Sequence, residues 1–362
     1  MHQDRINRVI AKMREENVPQ ILISDPVAIF YLLDRWIHPG ERLLALYIHI
    51  DGTIKLAINE LFPQDGEVGA ELIWYNDIED GVAKLAKEIK DDAIIGVDKE
   101  WPAKFLLRLQ EIYPDRKYVN ASLIVDRVRM VKDEEEKELM RQSSKICDQV
   151  MEELIPWVVK GLSENELNAK TKEIFAKHGV TKMSFDPITA YGRGAADPHH
   201  ETDDSMGKRG NCVVLDIGGF HKNYASDMTR TVFIGEVSDR HREIYEIVKE
   251  ANLRGIAAAK PGNRMCDVDL ACRNYIEEKG FGEYFTHRTG HSIGLEDHEF
   301  GDVSSVNEDI IVPGQCFSVE PGIYIQNEEI GVRIEDLVII TNDGCEVLNS
   351  VTKDLIIVPE EA

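Results

Sequence analysis

Cys212-Val-Val-Leu-Asp-Ile-Gly-Gly219 is an apolar run with a carboxylate set inside it. A short continuous apolar stretch of this kind reads as a buried strand. Asp216 is the residue that does not belong there, because a carboxylate taken out of water is costly unless something compensates its charge. The anomaly recurs downstream. Asp227 lies in Tyr224-Ala-Ser-Asp-Met-Thr-Arg-Thr-Val-Phe-Ile234, Glu320 closes Cys316-Phe-Ser-Val-Glu-Pro321, and Glu335 sits in Gly331-Val-Arg-Ile-Glu-Asp-Leu-Val-Ile-Ile340. His291 adds an imidazole in Thr289-Gly-His-Ser-Ile-Gly-Leu295, where glycines permit close backbone approach.

Taken singly, each residue has an ordinary reading as an edge, loop or turn residue, and Glu320-Pro-Gly could simply open a turn. Taken together, the carboxylates are explained most economically by cations. Like charges about 4 Å apart repel by roughly 4 kcal/mol per pair at an effective dielectric near 20. Two divalent ions balance four carboxylates, whereas one leaves residual negative charge. Hard oxygen donors with one imidazole suit Mn2+ first, with Co2+, Zn2+ and Fe2+ also accommodated; the lack of thiolates disfavours a structural zinc site.

Outward from these strands, the chain reads as alternating helix and strand. Ile6, Val9, Ile10 and Met13 form a helical stripe, and Ile21-Leu-Ile23 a short strand. Leu43 to Ile50 and Thr53 to Ile58 flank the hairpin signal Asp51-Gly52. Ile94-Ile-Gly-Val97 reads as a buried strand, followed by a helix from Pro102 to Ile112 that stops before Pro114. A boundary is expected between Asn120 and Asp133, giving an α/β domain over 1–125 and an α+β domain over 126–362. Asp133 and Glu136 have capping-box spacing ahead of a stripe of Leu139, Ile146, Val150 and Leu154. Ser163 and Glu166 cap a further helix that stops at Gly179, and two more follow over Ile244 to Ala251 and Val268 to Gly280.

The formal net charge of −24 argues against nucleic-acid binding, which needs clustered Lys and Arg, and against docking on anionic membranes. The N-terminus has no apolar signal core, and no stretch approaches the length of a transmembrane helix. Six cysteines without a C-x-x-C pair read as buried free thiols of a reducing cytoplasm.

The segments Pro198-His-His200, Val214-Leu-Asp-Ile-Gly218, Ser226-Asp-Met-Thr-Arg230, His287-Arg-Thr-Gly-His-Ser-Ile-Gly294, Val319-Glu-Pro-Gly322 and Val332-Arg-Ile-Glu-Asp336 span the C-terminal half. In order and type they resemble the pita-bread-fold metallopeptidases, the group of prolidase, aminopeptidase P, methionine aminopeptidase and creatinase. The resemblance implies that Asp227 and Glu335 bridge two metals, that Asp216 completes the shell of one, and that His291 and Glu320 complete the other's. It implies a metal-bridging hydroxide as nucleophile with Glu320 as general base, and outer histidines His199 and His298 that bind substrate and hydrogen-bond the developing oxyanion. His287 maps near the metal histidine, and Arg333, two residues from Glu335, would orient a ligand carboxylate.

The N-terminal domain and total length resemble prolidase more than methionine aminopeptidase, as does His38-Pro-Gly-Glu-Arg-Leu-Leu-Ala-Leu46. The expected activity is therefore cleavage of Xaa-Pro dipeptides by a cytoplasmic homodimer. Aminopeptidase P-type action on longer peptides and hydrolysis of a non-peptide amide are the alternatives, and a non-catalytic binding protein is disfavoured by the complete ligand set. One departure bears on substrate. Many prolidases place an Arg soon after the histidine equivalent to His298, where this chain reads Glu299-Phe-Gly-Asp302, or beside the one equivalent to His291, where it has Ser292. Either Arg42 or another cation receives the substrate carboxylate, or the substrate lacks one.

Overall fold

The structure, a computed structural model, describes residues 1–198 and 200–360 and divides into two units, Met1–Arg129 and Met130–Ala362. The first unit is built on a six-stranded mixed sheet. Its order is Glu71–Tyr75, Ile54–Asn59, Ala45–His49, Gln20–Ile23, Ile94–Val97, Lys117–Asn120. Gln20–Ile23 is buried along its length, as the unbroken apolar run requires. The Asp51-Gly52 hairpin pairs Ala45 with Ala57 through Ile48 with Ile54, with Gly52 at a φ of +95°. Helix Gln3–Glu15 buries Ile6, Val9, Ile10 and Met13, and Ala103–Ile112 starts after Pro102.

Strands Glu71–Tyr75 and Lys117–Asn120 were not evident in the sequence. They are the edges of the sheet, half-exposed and without clean alternation. Helix Ser122–Met130 runs through residue 125, and the division after Arg129, near the end of that helix, lies within the 120–133 window.

The second unit opens with helix Glu134–Leu154, where Asp133 and Glu136 form the reciprocal capping box. Its buried face carries Met140, Cys147, Val150, Met151 and Leu154, with Leu139 and Ile146 only partly covered. The face is rotated from the expected stripe because Ser143 belongs to it, donating to the carbonyls of Gly219 and Tyr224 at 3.2 and 3.0 Å. Helices Glu164–Lys177, Asp239–Ala258 and Met265–Glu278 follow.

Two sheets carry the ligand-type residues. One has the order Ile356–Val358, Met228–Ile234, Cys212–Ile217, Ile188–Tyr191; the other runs Glu299–Val303, Gly290–Ser292, Cys316–Val319, Asp336–Ile340, Cys345–Val347. In the first, Asp216 pairs with Thr229, just beyond Asp227. In the second, Val319 pairs with Asp336, so the chain ends bearing Glu320 and Glu335 are neighbours. The Glu335 N–H donates to the Thr229 carbonyl at 3.1 Å, which joins the two sheets at the point where all four carboxylates meet. Among the described residues five cysteines are buried and Cys345 half-buried, all as free thiols. No helix among them is long and apolar enough to cross a membrane.

Candidate metal centre

Where the sheets meet, a cavity of about 390 Å3 is lined by Asp216, Asp227, His291, Glu320, Glu335 and Arg333, with His287, Arg288, Asp297 and His298 around them and Phe185, Ile188 and Pro198 as the apolar wall. Ligand atoms of Asp227, His291 and Glu335 all lie within 4.8 Å of one another. His291 Nε2 is 3.5 Å from both Asp227 Oδ2 and Glu320 Oε1. His199 lies outside the described residues.

The orientation of His291 is set by its backbone. Its Nδ1 faces the Ser292 carbonyl at 3.2 Å, so the proton sits on Nδ1 and the Nε2 lone pair points at two carboxylates. Gly290 makes this possible: a Cβ there would stand 1.9 Å from the Ser318 carbonyl oxygen. Thr289 is fixed in turn by buried Asp269, which accepts from its N–H at 3.1 Å and its hydroxyl at 2.8 Å, and Asp269 is itself held by Arg273.

A lone pair aimed at carboxylates is unfavourable without a cation between them. Asp216 Oδ1, Asp227 Oδ1 and Glu335 Oε1 are buried oxygens with no hydrogen-bond partner. Their other oxygens are occupied or aimed inward: Arg333 donates to Asp216 at 2.6 Å, Thr229 to Glu335 at 2.8 Å, and Ser318 to Glu320 at 3.1 Å. Burial and mutual repulsion, Glu335 foremost, hold Asp227 well above the usual carboxylate range. Burial and the charges of Glu320 and Asp216 do the same to Glu335. Burial lifts Glu320 to about 8 despite Arg333, and lowers His291 to about 3, keeping its imidazole neutral. Orphaned oxygens and a neutral, oriented imidazole are what hard divalent cations require. The residues present fit the metals their order implies.

The outer groups form two hydrogen-bonded sets. Arg333 Nη1 donates to Tyr324 Oη at 2.8 Å, and Tyr324 Oη lies 2.9 Å from His287 Nε2. Because His287 Nδ1 faces the Arg288 carbonyl at 2.7 Å and donates to it, Nε2 is left to accept from the tyrosine. His298 is exposed at the cavity, its ring 3.8 Å from that of His291. Arg288 Nη2 donates to His298 Nδ1 at 3.2 Å, which leaves the proton of the neutral ring on Nε2 as a donor toward a ligand. Burial, with Arg288 adding, lowers the His298 pKa and favours that neutral form.

Arg42 lies in the first unit, where its Nε and Nη2 each bond Asp77 at 2.8 Å; its guanidinium is already committed to a carboxylate. Asp302 is opposite His291 in register but does not line the cavity, which removes the charge objection raised by its position. Arg288, Asp297 and Tyr324 escaped the sequence reading. Arg288 stands one residue from His287 in the quoted glycine-rich segment, and Tyr324 falls at strand spacing from Gly322. Arg230 was quoted without a role. Fully buried, it holds Asp336 at 2.7 Å and the Glu335 carbonyl at 2.6 Å, bracing the Glu335 segment from behind.

A second acidic group, Glu164, His200 and Asp203, has ligand-like spacing. Its carboxylate is already satisfied by the Tyr191 N–H at 2.8 Å, the Asp203 N–H at 3.1 Å and His200 Nε2 at 2.6 Å, so it anchors the loop between them.

Residues 138–342 match the model of metallopeptidase family M24, and residues 5–131 that of the creatinase/prolidase N-terminal domain. An uncharacterized peptidase of Staphylococcus aureus (strain MW2) is 32% identical over 352 residues, 96% of this chain and 99% of that one. The Xaa-Pro dipeptidase of Bacillus anthracis superposes with a TM-score of 0.90 at 31% identity, covering 98% of this chain and 99% of its own. The X-Pro aminopeptidase of Thermotoga maritima MSB8 gives 0.83 at 31% identity, over 96% of this chain and 100% of its own. With its α+β pita-bread fold and a donor cluster suited to divalent cations, the chain belongs to metallopeptidase family M24 and is a metal-dependent peptidase.

Proposed function

We propose that this protein hydrolyses Xaa-Pro dipeptides, using two divalent metals, Mn2+ foremost, held by Asp216, Asp227, His291, Glu320 and Glu335. The observation that carries the dipeptide reading is Arg288. Among the described residues it is the one cation lining the cavity without a carboxylate partner, since Arg333 is bonded to Asp216. It supplies the cation for a substrate's C-terminal carboxylate that the positions of Asp302 and Ser292 lack. Phe185 and Ile188 offer an apolar wall suited to a proline ring, and the cavity volume is that of a small-ligand site.

When bound, the metals would polarise the scissile carbonyl and make water nucleophilic near neutral pH. This chain's residues then divide the rest. Glu320 takes the proton of the attacking water, His298 Nε2–H donates to the carbonyl oxygen as it becomes negative, and Arg333 keeps Asp216 oriented while Tyr324 links it to His287. The family role for His199 is a second substrate hydrogen bond.

The similarity to an X-Pro aminopeptidase supports a second reading, removal of the first residue from longer Xaa-Pro peptides. Proline release from Ala-Pro, set against alanine release from Ala-Pro-Gly, separates the two. Efficient cleavage of the tripeptide alone would defeat the dipeptide reading. The same reading carries a cytoplasmic homodimer with it, which light scattering of the purified protein checks; a monomer that turns over Ala-Pro would remove the dimer from it.

A further inference from the structure

The apolar wall of the metal cavity comes from two separate stretches. Phe185 and Ile188 lie before and at the start of strand Ile188–Tyr191, whereas Pro198 lies on the loop that follows it. The strand is tied to the metal cluster directly, since Ile188 pairs with Asp216. The loop is tied elsewhere. Fully buried Glu164, the first residue of helix Glu164–Lys177, accepts the Tyr191 N–H on Oε1 at 2.8 Å. On Oε2 it accepts His200 Nε2–H at 2.6 Å and the Asp203 N–H at 3.1 Å. Its backbone repeats the pattern: its carbonyl accepts from Thr189 Oγ1 at 2.9 Å, and its N–H donates to the Ser205 carbonyl at 3.0 Å. One carboxylate thus holds the strand of Ile188 with one oxygen and the loop of Pro198 with the other. Burying such a group is costly unless its charge is answered, and the answer includes the histidine two residues from Pro198. Gly194 leaves room for the pair, because a Cβ there would stand 2.7 Å from His200 Nε2 and 2.9 Å from Glu164 Oε1.

We propose that Glu164 and His200 are positioning residues for specificity, a clasp that sets the gap between Ile188 and Pro198 to fit a proline ring. This rests on the Xaa-Pro reading above. Neither residue lines the cavity, so the pair acts through the wall and not on the substrate. The same helix braces the wall once more: Asn168 Nδ2 donates to the Pro187 carbonyl at 2.7 Å, fixing the residue before Ile188. A wall held at three points on one helix keeps its spacing when a ligand enters, which is what discrimination by shape requires.

The test compares Ala-Pro with Ala-sarcosine, which keeps the tertiary amide but lacks the ring, on metal-loaded wild type, His200→Ala, His200→Gln and Gly194→Ala. The two substrates share their reacting groups, so damage to the chemistry cancels in the ratio of their kcat/KM values. Wild type should prefer Ala-Pro by about tenfold, the worth of two buried methylenes, and His200→Ala should shrink this to about twofold, through KM and with metal content retained. His200→Gln, which can still donate to Glu164, should keep most of the preference. Gly194→Ala, which pushes the pair apart without removing either member, should lose it. A wild-type preference in His200→Ala overturns the proposal, and so does His200→Gln behaving as His200→Ala. Should His200→Ala not fold, Gly194→Ala decides in the same way. Calorimetric binding of free proline against sarcosine repeats the comparison without any scissile bond. Equal affinities in wild type overturn the clasp, while turnover of Ala-Pro leaves the Xaa-Pro reading standing. A preference for proline that is lost in His200→Ala, with no turnover of any proline peptide, sinks the Xaa-Pro reading and supports the clasp.

Discussion

Loading the metal-free protein with Mn2+ near pH 7 should release protons, nearly one per chain from Glu320 alone, because the raised ligand carboxylates hold protons until a cation replaces them. The size of the effect follows from the site. Asp227 and Glu335 stand well above the ordinary carboxylate range, by burial first and by mutual repulsion second. Glu320 stands at about 8, so at pH 7 roughly nine chains in ten are protonated there. His291, lowered to about 3, is already neutral and contributes none. The sign is fixed by these directions: raised carboxylate pKa values mean that metal affinity rises with pH. Through Glu320 the apparent association constant climbs about tenfold per pH unit below pH 7, with Asp227 and Glu335 adding in the same direction, and less steeply above the Glu320 value of about 8, where that group is already ionised. Calorimetry in buffers of different ionisation enthalpy counts the protons directly. Release near zero, or an affinity flat across this range, would mean that the carboxylates are ionised without metal and that their repulsion is compensated by something other than a cation.

Other substitutions probe the supports of the site. Arg333→Met removes the 2.6 Å bond to Asp216 and should lower metal affinity about 10- to 100-fold, as loss of a partner that orients a ligand does; titration with a competing chelator reads it. Arg230→Met leaves buried Asp336 with Lys353 as its remaining cation and should destabilise the metal-free protein in denaturant unfolding, by less than the roughly 3–5 kcal/mol of an uncompensated buried charge. Gly290→Ala forces the strand of His291 away from Ser318 and should abolish metal binding while far-UV circular dichroism stays native; metal retained at the wild-type level would refute the close-approach argument. His298→Ala should lower kcat with metal content intact, and a fall in metal as deep as that of Asp227→Ala would make His298 a ligand instead.

The legible part of the fold is the part in which one residue type does one job. The Asp51-Gly52 turn, the Asp133 and Ser163 capping boxes and the apolar runs bearing Asp216 and Glu335 each follow from local chemistry. The edge strands Glu71–Tyr75 and Lys117–Asn120 were not legible, because half-exposed edges carry no clean period. In the site, the four ligand-type carboxylates stood out because charge is out of place in apolar runs, and His291 by its glycine-rich segment. Arg288 and Asp297 did not, since a charged residue in a polar loop is unremarkable until the fold turns it into a cavity. Tyr324 was hidden for the opposite reason: it reads as an ordinary strand aromatic, and only its hydroxyl, shared between Arg333 and His287, ties it to the centre.

The account rests on a metal centre that cleaves the bond before proline, and a single titration addresses it. Protein stripped by chelation is reloaded stepwise with Mn2+ while bound metal and proline release from Ala-Pro are measured on the same samples. The account predicts negligible turnover in the stripped protein and activity that returns as occupancy approaches about two metals per chain. Undiminished Ala-Pro hydrolysis after the metal has been removed would contradict it.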